Sequence, residues 1–354
     1  MDGYFAALDK EIDDFWENDA EESAFADTVF VGGGTPSYAD AAYIARALAR
    51  IPGAQAAGYN RAAPFAECTI EINPGTLDRA KLEAYAGAGA NRLSFGLQSS
   101  HDAHLRMLGR IHTFEDFLTG CRSAGNAGFD NISADLLFGL PGQTSAKWEQ
   151  TLEAVVSAGV RHLSCYSLSV EEGTPLYKAV ESGALPKPDE DLDRDMYHFA
   201  VSYLRSAGIY QYELSNFAEP GRECRHNLKY WTGGRYRGFG AGAHSYDGAV
   251  RFSNAPSITD YIGRVTAKGS AVAESDRIDA AEKEKEFIIL RLRLTRGFDD
   301  SEFHSLFGYS FYEKYYDAIA GLSASGLLDA SPGRNVRLTP MGMDLANRVF
   351  VEFV

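Results

Sequence analysis

The sequence predicts an α/β fold, and three observations predict it. Short β-rich runs recur through the first half of the 354-residue chain, a stretch of helical periodicity follows each run, and 35 glycines are spread among the apolar segments. Glycine supplies the positive φ angles and close backbone approaches that strand-to-helix turns require. Strand-then-helix units with short connections require parallel strands joined by crossovers.

The elements follow in order. Phe5, Leu8, Ile12 and Trp16 recur at helical spacing with acids between them, so 5–16 is an amphipathic helix. Strands are expected at 28–31, 68–72, 92–95, 132–138 and 163–168, with helices at 38–50, 77–88, 114–124 and 145–158. An aromatic-rich and arginine-rich α+β stretch then runs from Asp189 through 210–214 to about Glu274. The charged run 279–285 leads into a small helical unit over 280–354, winged-helix-like in its pattern and including Val336-Arg337-Leu338-Thr339-Pro340. Periodicity does not decide between an open doubly wound sheet and a curved partial barrel, but both place ligands at the carboxyl ends of the strands.

Composition narrows the function. With 34 basic against 49 acidic residues the formal charge is −15, which repels nucleic acid and anionic lipid. Cys68, Cys121, Cys165 and Cys224 lie too far apart for a metal knuckle or redox pair and read as reduced thiols. No apolar run approaches the roughly 20 residues that span a bilayer, and the start lacks a secretory pattern. The expected location is the cytoplasm, with neither nucleic acid nor a transmembrane segment involved.

Polar residues cluster at the expected strand ends. Gly32-Gly33-Gly34-Thr35-Pro36-Ser37 follows the first strand; it is either a tight turn or a place where a ligand touches main chain. Glu71 ends the second strand, Gln98 follows the third, Arg110 comes soon after, and Asp135 interrupts the apolar run 132–138. Taken singly, Glu71 reads as a solvent-facing residue and Arg110 as a surface arginine. Taken together, carbonyls and Glu accept from an ammonium, Arg forks onto a carboxylate, and Asp accepts from hydroxyls. S-adenosylmethionine carries those groups, whereas the Gly-x-Gly-x-x-Gly turn of a dinucleotide site is absent.

The ordered blocks GGGTPS, EINP, RLSFGLQSSHDAHLRMLGRIHT, DLLFGLPGQT, LSCYSLSVEEGTPL, YELSNFA and RHNLKYW resemble the HemW haem-chaperone branch of the oxygen-independent coproporphyrinogen III oxidase-like radical S-adenosylmethionine proteins. That resemblance implies a partial (β/α)6 barrel and a C-terminal helical domain. It divides the chain into a truncated core at 1–215, an extension at 216–279 carrying the HNLKYW motif, and the C-terminal domain at 280–354. It also implies that Gly33, Gly34, Thr35, Glu71, Gln98, Arg110, Asp135 and, through backbone, Ser169 contact S-adenosylmethionine.

Members of this family open with a strand and a Cys-x-x-x-Cys-x-x-Cys loop that holds a 4Fe-4S cluster, and neither occurs in this sequence. The expectation is therefore a barrel without its first strand, leaving an exposed sheet edge, and a chain unable to cleave the cofactor reductively as it stands.

An imidazole at His226 is a good axial ligand to haem iron, Tyr230 and Trp231 offer flat apolar area, and Arg225 or Arg222 is near enough in sequence to attract propionates; the resemblance associates this His-Asn-x-x-Tyr-Trp motif with haem binding. Without the resemblance, a buried histidine beside a packed Tyr-Trp pair is the simpler reading. Cys224 reads as a buried thiol and His244 as part of a loop beneath the barrel, while Phe311, Tyr312, Tyr315 and Tyr316 read as core. The expected function is haem binding and transfer to an acceptor protein. The alternatives are oxidative decarboxylation of coproporphyrinogen III and an inactive structural homologue.

Overall fold

The computed structural model describes residues 1–19, 24–53, 64–331 and 333–354, which form two compact units. One comprises Phe25–Gln211 with Ser215–Glu223; the other comprises Met1–Ala24, Tyr212–Leu214 and Cys224–Val354. The expected division at 215/216 is not where these units part. The first helix, Asp2–Asp14, groups with the C-terminal unit because its buried Glu11 is satisfied there. Its carboxylate accepts from Gly240 N at 2.8 Å, Asn254 Nδ2 at 2.7 Å and Tyr261 Oη at 2.7 Å. A carboxylate without such donors would be expensive to bury.

The first unit holds seven strands: β1 (Thr28–Val31), β2 (Glu67–Ile72), β3 (Arg92–Gln98), β4 (Ile132–Phe138), β5 (His162–Ser167), β6 (Tyr210–Gln211) and β7 (Asn216–Ala218). They lie in the order β1-β2-β3-β4-β5-β7-β6, with β1 to β5 parallel and β7 antiparallel to both β5 and β6. The helices Ala41–Ala49, Arg79–Gly87, Phe114–Asn126 and Ser145–Ser157 make the crossovers. Asp40, Asp78, Thr113 and Thr144 cap their N-termini through side-chain acceptors. These elements fall within a few residues of the sequence expectation. The chief exception is the expected helix 38–50, whose start is a separate turn, Pro36–Tyr38.

Alternation sorts the sheet into two faces. Ile70, Leu93, Phe95, Ala134, Leu136, Leu163 and Phe217 are buried on one of them. The helices pack there: the Phe95 and Phe117 rings meet edge to face at 5.6 Å, and Phe138 lies 5.5 Å from Trp148. The other face is polar. Pairing places Glu71 beside Ser94, Ser94 beside Ser133, Asp135 beside Ser164, Ser133 beside His162, and Ser164 beside Asn216.

In the second unit, β8 (His244–Tyr246), β9 (Val250–Asn254) and β10 (Val272–Arg277) form an antiparallel sheet. The expected C-terminal unit is present: helices from Ala280 onward, and a short antiparallel pair, β11 (Leu328–Asp329) with β12 (Arg337–Leu338), surround a core that includes Phe287, Phe298, Phe303 and Phe311. Tyr312 and Tyr315 pack partly against that core, whereas Tyr316 is 71% exposed, contrary to expectation. Spacing did not reveal that the helix breaks at Tyr315, between Phe311–Lys314 and Tyr316–Ala324. No described helix is long and apolar enough to cross a membrane.

Candidate functional site

The polar face of the parallel sheet concentrates charge at the carboxyl end of its strands. Glu71 sits one residue before the end of β2. A Cβ placed on Gly32 would lie 3.0 Å from Glu71 Oε1 and 2.9 Å from the Phe30 ring, so a larger residue there would displace the carboxylate or the ring. Gly33 and Gly34 then turn the chain with φ of +76° and +45°, and the Gly33 amide donates to Glu71. Burial pushes the Glu71 carboxyl above its ordinary range, and the neighbouring Asp135 adds to that rise.

The same turn is pinned from behind. Asn73 N donates to the buried Ser37 Oγ at 3.0 Å, Asn73 Nδ2 donates to Tyr38 Oη at 3.2 Å, and Lys81 Nζ donates to Ser37 O at 2.6 Å. Thr35 is extended, at φ −147°, immediately before Pro36. Gly33, Gly34, Thr35 and Glu71 therefore belong to one structural feature.

Asp135 lies on the same face. Ser94 Oγ donates to its oxygens at 3.3 and 3.4 Å, and Ser164 is a second hydroxyl partner. Burial still dominates and raises the Asp135 carboxyl, although these serines and the Arg92 charge oppose the rise. Two neighbouring carboxyls with elevated proton affinity suit a ligand that brings positive charge or hydroxyl donors.

Gln98 is the one non-glycine residue with positive φ, +71°, among the described residues. It follows a bulge: Phe95 pairs with Ala134, but Gln98 rather than Leu97 pairs with Leu136. A Cβ on Gly96 would lie 3.3 Å from Gln98 Nε2, so the amide folds back over Gly96. Left-handed backbone at a strand end is a strain characteristic of functional positions.

Two expected residues are less integrated. Arg110 is exposed in the turn after the helix Asp102–Met107; its amide donates to Leu105 O at 2.8 Å. Among the described residues no hydrogen bond or ion pair ties its guanidinium to Glu71, Gln98 or Asp135. Ser169 is exposed beyond β5, with its hydroxyl donating to Glu171 Oε1 at 2.7 Å. Sequence reasoning missed Ser94, Ser164, Arg92 and Asn73. The polar residues at alternate positions 92 and 94, 133 and 135, and 162 and 164 were the available signal.

The second candidate region lies in the other unit, on the helix Arg225–Trp231. His226 and Tyr230 share a helix face by their four-residue separation, and His226 Nε2 lies 3.0 Å from Tyr230 Oη. Their rings meet edge to face at 5.2 Å, and Tyr230 contacts Tyr236 at 4.8 Å. The Arg293 guanidinium covers one face of Trp231 at 4.3 Å while lying 3.6 Å from the fully buried Glu213. All three candidate residues are half-buried, intermediate between a packed core and an open platform.

Arg222 does not meet the expectation of a propionate partner. It donates to Asp130 O at 2.9 Å and Asp130 Oδ2 at 3.2 Å, and it belongs to the sheet unit. His244 is exposed as the first residue of β8 rather than packed in a loop. Cys224 is buried, as expected.

The cysteines do not suit an iron–sulfur cluster. All four are buried and outside any disulfide, and burial raises the Cys68 and Cys121 thiols to about 12. A thiolate ligand requires the opposite shift. Among the described residues no group of three or more His, Cys, Asp or Glu side chains could hold a metal ion.

The parallel strands, their helical crossovers and the carboxylate-lined strand ends define a radical-SAM-type protein. A family model for the radical SAM superfamily matches residues 7–155, and one for the HemN C-terminal domain matches 278–345. The chain belongs to the HemW family. It is 35% identical to the heme chaperone HemW of Bacillus subtilis, covering 100% of this chain and 92% of that protein. It is 31% identical to the heme chaperone HemW of Lactococcus lactis, covering 100% and 90%. The structure of coproporphyrinogen III oxidase (HemN) from Escherichia coli, a radical SAM enzyme, shares the fold at a TM-score of 0.82 and 21% identity, over 99% of this chain and 82% of that one.

Proposed function

We propose that this chain binds haem and passes it to an acceptor protein, and that its sheet cavity holds S-adenosylmethionine. Full-length similarity to two proteins named heme chaperone HemW is the observation that carries the reading. The helix Arg225–Trp231 supports it locally, because His226 offers an imidazole beside Tyr230 and the half-buried Trp231. The Tyr230 hydroxyl must give up His226 Nε2 before that nitrogen can ligate iron. Arg225, exposed at the helix start, can meet a propionate. The chain acts in the cytoplasm in this reading, and the acceptor is a haem-requiring protein.

For the cavity, Glu71 and Asp135 supply acceptors for an ammonium and a ribose diol, the Gly32–Gly34 turn admits the ligand against main chain, and Gln98 presents an amide. Arg110 can meet the ligand carboxylate from the exposed turn. When bound, S-adenosylmethionine contributes a sulfonium cation and a nucleoside. The described cysteines, buried with raised thiols, do not fit a cluster.

Hemin titration followed at the Soret band, with calorimetry of S-adenosylmethionine, tests both halves. Saturable binding of each ligand at one per chain is expected. A hemin spectrum identical with and without protein overturns haem binding, and a flat calorimetric trace across neutral pH overturns the cavity assignment.

A further inference from the structure

A three-residue turn ends β3. Ser99 N donates to Leu97 O at 3.0 Å across Gln98, whose φ is +71°. A turn closed over one residue with φ near about +75° is the rare and strained hand of this geometry, so neighbouring groups must hold it in place.

Each residue flanking Gln98 is gripped by a buried imidazole. The carbonyl of the buried Leu97 takes a second contact from His112 Nε2 at 3.3 Å. A carbonyl only accepts, so the His112 proton sits on Nε2; its Nδ1 is buried with no partner among the described residues. On the other side, the buried Ser99 Oγ accepts from His101 N at 3.1 Å and lies 3.2 Å from His104 Nδ1. His101 is tied in turn to the helix Ser145–Ser157, its Nε2 lying 3.1 Å from Lys147 O. His104 stands on the helix Asp102–Met107, and His112 in the segment between that helix and Phe114–Asn126. Burial lowers both imidazoles, His104 to about 4, so at neutral pH they serve as hydrogen-bonding groups rather than charges.

We propose that His104 and His112 are positioning residues: by gripping Ser99 and Leu97 on either side of Gln98, they hold its strained turn and so set the Gln98 amide for the ligand. The consequence for binding rests on the cavity assignment, but the grip on the turn is a property of the free protein.

The two histidines use different nitrogens, which gives a test that a change of size cannot imitate. The amide of asparagine falls near the place of Nδ1, and that of glutamine near the place of Nε2. At position 112 glutamine should serve and asparagine should fail; at position 104 the order should reverse. The readout is amide hydrogen exchange in the ligand-free chain by NMR. The Ser99 amide should exchange about tenfold faster or more in His112→Asn and His104→Gln, and within about threefold of wild type in His112→Gln and His104→Asn. The Leu93 amide, which donates to Asn131 O at 3.0 Å at the other end of β3, should be unchanged in all four. The same order of asparagine and glutamine at both positions, or wild-type exchange at Ser99 throughout, overturns the proposal. If a variant at one position does not fold, equal Ser99 exchange within the pair at the other overturns it.

The second arm is S-adenosylmethionine affinity by calorimetry. His112→Asn should lower it about fivefold when Gln98 is present and less than about twofold in a Gln98→Gly background, which has no amide to set. An equal loss in both backgrounds signifies a packing role and overturns the proposal. Wild-type protein that binds no S-adenosylmethionine defeats the cavity assignment instead, while exchange at Ser99 still decides whether the histidines hold the turn.

Discussion

Gly32 and Glu71 are in such close register that a single methyl on the glycine would approach the carboxylate oxygen to 3.0 Å. The Phe30 ring closes the other side at 2.9 Å. Gly32→Ala must therefore shift the Phe30 ring or the Glu71 carboxylate, and overpacking of this kind costs roughly 1–3 kcal/mol. S-adenosylmethionine affinity, measured by calorimetry, should fall at least about tenfold, since a 1.4 kcal/mol change is a factor of ten. Gly3→Ala, with nothing within 4 Å of its Cβ, serves as the control and should bind as wild type.

Asp135 sets ligand affinity against stability. Burial raises its carboxyl, so the folded chain holds that proton to a higher pH than the unfolded chain does. Stability from this group consequently falls as pH rises from the ordinary carboxylate range through the elevated value, and stays lower above it. Asp135→Asn should remove that loss and raise the melting temperature by about 2 °C or more at neutral pH. The same change should abolish the gain in S-adenosylmethionine affinity that accompanies deprotonation. A lower melting temperature with retained affinity contradicts this account.

At the second candidate region, Tyr230 competes for the atom that would ligate iron. The 3.0 Å contact between His226 Nε2 and Tyr230 Oη is worth roughly 1 kcal/mol, the net value of an ordinary hydrogen bond. Tyr230→Phe should bind hemin several-fold more tightly, with the His226-dependent Soret position unchanged. His226→Ala should lose that spectrum. If both variants match wild type in affinity and spectrum, the imidazole is structural.

Glu11 tests what anchors the N-terminal helix. Three donors converge on its buried carboxylate from Gly240, Asn254 and Tyr261. Glu11→Ala should destabilise the unit by about 3–5 kcal/mol by leaving buried donors unpaired, read as a lower urea midpoint. Lys10→Ala removes only an exposed pair with Asp14 and should shift the midpoint by less than about 1 kcal/mol.

Much of the sheet was legible because each parallel strand is a short apolar run bounded by turn residues. The ends of β1 and β4 coincide with the expected Thr28–Val31 and Ile132–Phe138. Glu71 and Asp135 were also legible, since a carboxylate within such a run needs a reason. Arg92 and His162 were not singled out because each stands at the first position of its strand, where a charged or polar residue ordinarily meets solvent. Only pairing across four strands shows that they lie in a buried layer. The membership of the first helix was hidden for a similar reason: its partners at Gly240, Asn254 and Tyr261 are more than half the chain away.

Gln98 combines strain with exposure of a useful group. Its φ of +71° is one that glycine adopts freely and glutamine does not, at a cost of order 1 kcal/mol or more. The bulge between Phe95 and Gln98 imposes that angle and turns the amide back over Gly96. Gln98→Gly should therefore relieve strain while deleting the amide. Its denaturation midpoint should hold or rise, while S-adenosylmethionine affinity drops about tenfold. Were the strain merely a tolerated defect of the bulge, the glycine variant would gain stability and bind the ligand as well as wild type, and calorimetry separates those outcomes directly.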